Sequence, residues 1–259
     1  KDPVGMTGIK LEVDTQIILG MTSQIKNVTK SIYRTGVDID ELVVSILASA
    51  ESVLTKRQKE LGVAVVNIGG TTTSLMVFEE GDVIHSKILP VGSGHITNDI
   101  AIGLRTSVDV AEQVKKQYGT ALAETVMKQD DIDLAKIDPK EQVLISRKEV
   151  AEIIVARLEE IFDMIKVELQ KIDRYGKLPA GMVITGGGAK LTGVIEMTKN
   201  HFHTSAAIGV PLHIQTPIDK IQDPVFSTAI GLVLWGQGVH VGLNRTSMTN
   251  FSSVANVTG

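Results

Sequence analysis

At 259 residues the chain has room for one large domain or two smaller ones with a full core. Its 26 Lys and Arg against 30 Asp and Glu give a net charge of −4, which argues against the basic footprint of a nucleic-acid binder. The absence of cysteine excludes disulfides, thiolate zinc and iron–sulfur sites, and no apolar run reaches the ~18–20 residues of a membrane span.

The opening, KDPVGMTGIKLEV, reads as the interior of a longer protein. Residues Ile9 to Leu19 alternate and are rich in β-branched side chains, so a strand is expected there. TSQIKNVTKSIYRTG follows with Ile25, Val28, Ile32 and Tyr33 at helical spacing, Thr22 or Ser23 available to cap its start and Gly36 its end. The short apolar run DELVVSI leads into LASAESVLTKRQKELG, expected as one helix ending at Gly62. Three strands come next, Val63–Ile68, Thr73–Glu79 and Val83–Val91, with Glu80-Gly81-Asp82 as the second hairpin turn. HITNDIAIGL and SVDVAEQVKKQYG predict two helices, the second closed at Gly119. QDDIDLAKIDPKEQ is expected to be a polar, acidic loop. Beyond it Ser146 and Glu149 make a capping box, and Val150, Ile153, Ile154, Ile161, Ile165, Leu169 and Ile172 draw one helical stripe. AGMVITGGGAKLTGVIEMTKNHF reads as strand, glycine turn, helix, and STAIGLVLWG as a last apolar helix. From Gln237 the Ser/Thr/Asn/Gly-rich chain is expected to be a flexible linker. Hairpin-linked strands followed by helices predict an α/β domain with a mixed sheet.

Two glycine turns can carry chemistry. Gly69-Gly70 and Thr71-Thr72-Thr73 lie between two strands, where glycines allow close approach and successive N–H groups can form an anion nest. The same residues also make an ordinary hairpin turn. Gly186-Gly187-Gly188 follows MVIT and precedes a helix, which suits a phosphate or the polar face of a nucleoside, or a tight turn where backbone packs on backbone. Glu112 and Lys115, at i and i+3, can reach one ligand together or form a solvated ion pair. The histidines show no metal-ligand spacing, the acidic stretch lacks the glycine and terminal glutamate of a calcium loop, and VGSGH lacks the frame of a nucleophile elbow.

Taken together, DPVGMTGIKLEVDTQIILG, NIGGTTTSLMVFEEGDVIHSKILPVGSGHITNDIAIGLRTSVDVAEQVKKQYG, MVITGGGAKLTGV and IGVPLHI with DPVFSTAIGLVLWG resemble the FtsA family of bacterial actin-like cell-division proteins, from Lys1 to about Gly236. The resemblance implies an actin-like ATPase (ribonuclease H-like) α/β fold with nucleotide between two lobes. It implies that residues 1–38 are the second half of subdomain 1C, 39–61 the tail of 1A, 62–95 and 160–236 subdomain 2A, 96–159 subdomain 2B, and 237–259 a linker. The first lobe's phosphate hairpin would precede Lys1. The Gly69–Thr73 hairpin is similar to the family's second phosphate loop, usually Asp-Ile-Gly-Gly-Gly-Thr-Thr-Asp. Gly186, Gly187, Gly188 and Ala189 match its adenosine loop, and Glu112 and Lys115 the segment that meets ribose and base. The expected cofactor is ATP with Mg2+.

Three positions depart from that pattern: Asn67 and Ser74 replace aspartates, and Thr71 replaces a glycine. A carboxylate there would hold Mg2+ through its waters and orient an attacking water; Asn67 carries no charge. Thr71 would be strained by order of 1 kcal/mol if its φ were positive. Nucleotide binding with very slow or no hydrolysis is therefore expected. The resemblance further implies binding of the acidic, apolar C-terminal tail of FtsZ through Arg147 and Arg157, self-association into filaments, other divisome contacts through 1C, and location at the cytoplasmic face of the inner membrane through a C-terminal amphipathic helix that Gln237–Gly259 does not contain. On spacing alone Arg157 equally suits an ion pair with Glu160. The alternatives are a PilM-type scaffold of pilus assembly and an active ATPase of the same superfamily.

Overall fold

The computed structural model describes residues 5–13, 15, 17–212 and 219–240. The chain divides into two compact units, one of residues 1–41 with 232–259 and one of residues 42–231.

In the smaller unit, α1 (Thr22–Tyr33) forms where the apolar spacing predicts it, but no side chain caps its start and none of its residues is buried. Gly36 closes the following turn at φ +80°. The expected strand at 9–19 is not formed among the described residues; Asp14 and Gln16 lie outside them. A strand exists only through a ladder partner, and no described segment pairs with this one. Trp235 Nε1 donates to Glu41 Oε2 at 2.9 Å.

The larger unit is built on a mixed sheet. Helix α2 (Ser45–Val53) and helix α3 (Lys56–Leu61) replace the single helix expected before Gly62. The break is a capping box at Thr55: its hydroxyl accepts from Gln58 N, and Gln58 Oε1 accepts from Thr55 N at 2.9 Å. Strands β1 (Val63–Ile68), β2 (Thr73–Glu79) and β3 (Asp82–Leu89) then form the expected meander. Glu80 and Gly81 both take positive φ, the geometry of a two-residue hairpin turn whose twist matches the strands. Helices α4 (Ser93–Leu104) and α5 (Val108–Tyr118) follow.

The stretch expected as an acidic loop holds β4 (Asp131–Asp133), paired antiparallel with β5 (Leu144–Ser146). Asp131 is exposed and Asp133 half-buried, while Ile132 and Leu134 are buried. The polar count masked a period-two pattern. The long helix α6 (Arg147–Lys171) starts at Ser146, whose hydroxyl accepts from Glu149 N, and of the predicted stripe it buries Val150, Ile154, Ile161, Ile165 and Leu169, with Ile153 half-buried. After β6 (Met182–Thr185), α7 (Val194–Phe202) and β7 (Ala206–Ile208), helix α8 (Ser227–His240) runs four residues into the segment expected as linker. The rest of that linker lies outside the described residues.

The sheet order is β3-β2-β1-β6-β7, with β1 antiparallel to β2 and parallel to β6. Strand periodicity sorts its side chains onto two cores. Ala64, Val66, Ile68, Leu75 and Val77 pack with α4, α6 and α7; Val63, Val65, Met76 and Phe78 pack with α2. Each fully buried Val or Leu contributes about 1.5–3 kcal/mol. This topology sets the C-terminal ends of β1 and β6 side by side, with Asn67 opposite Thr185. Open α/β sheets bind ligands at such ends.

Candidate functional site

Among the described residues, the hairpin turn after β1 is held by bonds within the turn and to the start of α4. Gly69 N donates to Thr72 O at 2.9 Å, closing the turn. The Gly69 carbonyl accepts from Ser93 N at 2.8 Å and Ser93 Oγ at 3.0 Å, and the Gly70 carbonyl accepts from Gly94 N at 2.7 Å. Both carbonyls thus dock on the first turn of α4. Glycine is needed there: a Cβ on Gly92 would lie 2.6 Å from Gly69 O, and one on Gly94 2.8 Å from Gly70 O.

No peptide bond in the described chain is cis. Across a trans peptide the C=O and the next N–H point in opposite directions. Anchoring the Gly69 and Gly70 carbonyls on α4 therefore aims the Gly70 and Thr71 N–H groups the other way. Both residues are exposed, and neither N–H has an acceptor among the described residues. Two such successive donors in a turn can take the oxygens of an anion. Thr71 is not at positive φ, so its Cβ brings no backbone strain. Thr73 Oγ1 is buried at the base of the turn with no hydrogen-bond partner among the described residues.

The glycines after β6 have divided roles. Gly186 sits at φ +83°, where a Cβ would come within 2.3 Å of Asn67 Oδ1, and a Cβ on Gly188 would come within 2.4 Å of Ile68 Cγ2. Both are buried against β1, as a turn of backbone on backbone requires. Gly187 is exposed, with open space around it. The turn continues as a 3-10 helix, Gly187–Lys190 with Ala189 buried, and α7 begins only at Val194. A shallow, open pocket adjoins this turn, lined by residues 189–196 and Ile208, and does not extend over the hairpin.

Asn67 lies between the two turns. Its Nδ2 donates to Ser49 Oγ at 3.0 Å and Thr228 Oγ1 at 3.3 Å; Ser49 in turn donates to Ser45 O. Ser74 is its cross-strand partner. The two positions where the family pattern has aspartates therefore face one another in the ladder, and neither brings charge. Among the described residues no group of three His, Cys, Asp or Glu side chains can hold a metal. The donors fit phosphate oxygens; the side chains do not fit a protein-held Mg2+.

Glu112 and Lys115 meet the hairpin indirectly. Lys115 Nζ bonds Glu112 Oε2 (2.6 Å), Thr97 Oγ1 (2.6 Å) and Ser93 O (3.1 Å); the lysine is 12% exposed and the glutamate 34%, so the cation is sheltered while the carboxylate still meets solvent. Burial alone would push the Glu112 carboxyl up, but hydrogen bonds from Lys115, Thr97 and Lys116 outweigh it and hold the group below its usual range.

Arg147 and Arg157, both on α6, are bonded elsewhere. Arg147 Nε donates to Tyr118 O at 3.0 Å, with Asp130 Oδ2 3.7 Å from its guanidinium. Arg157 makes the expected pair with Glu160 and a bidentate bond to Asp99 of α4, at 2.6 and 3.0 Å. Sequence spacing along α6 showed only apolar neighbours besides Glu160; Asp99 is 58 positions away. Ser93, Gly92 and Gly94 were also missed as parts of the site. Their signal was the small-residue run VGSG directly after a strand.

The family model for cell division protein FtsA matches residues 64–231. The chain belongs to the FtsA family. FtsA of Pseudomonas aeruginosa is 35% identical over 236 residues, 91% of this chain and 57% of that protein. FtsA of Bacillus subtilis is 34% identical over 232 residues, 90% of this chain and 51% of that protein. The chain thus spans a little over half the length of these FtsA relatives. Among solved structures, MreB5 of Spiroplasma citri bound to ADP has a TM-score of 0.67 at 18% identity, covering 87% of this chain and 69% of that one. The PilM-PilN type IV pilus biogenesis complex gives 0.61 at 18% identity, covering 82% and 57%. The fold is actin-like, as the FtsA resemblance implied.

Proposed function

We propose that the chain carries the nucleotide-binding second lobe of an FtsA-type division adaptor, together with the second half of subdomain 1C and the tail of 1A. It binds ATP, assembles with further copies of itself, and links FtsZ filaments to the inner membrane at the septum. The observation that carries the nucleotide part is the pair of exposed N–H groups at Gly70 and Thr71, which have no acceptor among the described residues. Oxygens of the ATP phosphates would accept from these groups, and the adenosine would lie along the exposed Gly187 rather than the buried Ala189. When bound, ATP supplies the negative charge that the nest lacks. A magnesium ion would be held by the nucleotide's oxygens rather than by a side chain of this chain. Asn67, with its amide committed to Ser49 and Thr228, supplies no carboxylate to orient water, so hydrolysis is very slow or absent. Subdomain 2B, residues 96–159, presents Arg147 and Arg157 to an acidic FtsZ tail, which must exchange with Asp99 and Glu160 for Arg157.

Single-turnover ATP hydrolysis by the full-length protein, natural and Asn67→Asp, tests the catalytic half. The natural protein is expected to bind ATP and leave it intact over minutes. Hydrolysis as fast as that of the Asp form would sink it. Capture of an FtsZ-tail peptide rather than a pilus-subunit peptide tests the partner.

A further inference from the structure

We infer that the row of cations on α1, Lys26, Lys30 and Arg34, is a docking surface for a membrane of anionic lipid. This contact is additional to the tether proposed above and independent of it. The chain carries a net charge of −4, yet between Asp14 and Asp38 it has three cations and no acid. Spaced at i, i+4 and i+8, the three fall within about 80° of the helix circumference. Arg34, one residue past Tyr33, keeps helical backbone at φ −66° and so stays in line. By the same count the apolar stripe of Ile25, Val28 and Ile32 lies on the opposite side, so whatever covers that stripe leaves the row outward.

All three cations are exposed, and none has an acidic partner among the described residues. Cations of the larger unit are placed differently: Arg157 pairs with Asp99, Arg174 with Glu79 and Lys177 with Asp173. No residue of α1 is buried, so the row lies on a convex face without a groove for a peptide backbone. A field of one sign on such a face suits a layer of headgroups, where each Lys or Arg near an anionic surface adds about fivefold in affinity. Tyr33 stands beside the row, at i+7 from Lys26 and i+3 from Lys30, and is 55% exposed. Tyrosine is enriched at the membrane–water interface, with its ring at headgroup level.

The test is sedimentation of the full-length protein with vesicles of phosphatidylglycerol and phosphatidylcholine in equal parts, and with vesicles of phosphatidylcholine alone. Lys26→Gln, Lys30→Gln and Arg34→Gln together are expected to weaken binding to the anionic vesicles about a hundredfold and to leave the neutral ones unchanged. Lys30→Glu alone, which removes one charge and adds its opposite, should weaken it about thirtyfold. Added salt should narrow both differences. Unchanged binding of the triple variant to anionic vesicles would leave the tether standing and refute this contact. An equal loss on both kinds of vesicle would report a structural change rather than charge, and also overturns the inference. Unchanged vesicle binding with loss of a polyglutamate peptide would assign the row to an acidic protein instead of a lipid surface. A natural protein that sediments with neither vesicle refutes the contact as well.

Discussion

The two roles assigned to the glycines after β6 can be separated by one methyl group each. At Gly186 an added Cβ meets Asn67 Oδ1 at 2.3 Å and Ile68 O at 2.8 Å, and the backbone sits at φ +83°. At φ +83° and ψ −178° the backbone is in a region open essentially to glycine, which costs an L-residue about 1–3 kcal/mol, and forcing a group into packed β1 adds about 1–3 kcal/mol. Gly186→Ala should therefore lose about 2–6 kcal/mol of unfolding free energy. At Gly187 the added Cβ meets nothing within 4 Å and φ is not positive. Gly187→Ala should be neutral or more stable by up to about 1 kcal/mol, through the unfolded chain alone. Urea unfolding followed by circular dichroism reads both changes as midpoint shifts at constant slope. Equal stability losses in the two variants would refute the division of roles. A Gly187→Ala protein that is stable yet binds ATP as the natural one does would refute its place beside the adenosine.

Asp99→Asn should free the Arg157 guanidinium and tighten an FtsZ-tail peptide several-fold, whereas Arg157→Glu should weaken it; fluorescence anisotropy with unchanged dissociation constants in both would remove Arg157 from the interface. His201 packs among Phe162 and Phe202. Burial pushes its pKa down against the opposing pull of Asp163, whose Oδ1 lies 3.3 Å from Nε2 without hydrogen-bond alignment. With the folded value below the unfolded ~6.5, its stabilising contribution is full above that pH and is lost as pH falls below it. The urea midpoint should decline on acidification from about pH 7 to 5.5, and His201→Gln should flatten the decline; an identical slope would contradict it. Thr55→Ala removes the cap of α3 and should cost about 0.5–2 kcal/mol, read as a lower urea midpoint.

What the sequence made legible was what depends on near neighbours. Val63 to Glu79 could be read directly, because alternating β-branched residues and glycine turns specify a hairpin locally. The two-helix break at Thr55 was also local, and was hidden only because the helical spacing continues across it. Contacts between distant segments were not legible. Asp99 reaches Arg157 across 58 positions, and Ser93 joins the hairpin to Lys115 through backbone atoms that carry no sequence signature. Residues 9–19 show the converse. Their alternation suits a strand, but pairing is a property of the partner as well.

The placement of phosphates on the hairpin is tested most directly by amide shifts of the full-length protein labelled with 15N at glycine and threonine. On titration with a non-hydrolysable ATP analogue, the Gly70 and Thr71 N–H resonances should move furthest, downfield, as they gain a charged acceptor. Shifts confined to other residues, with Gly70 and Thr71 unmoved at saturation, would contradict the account.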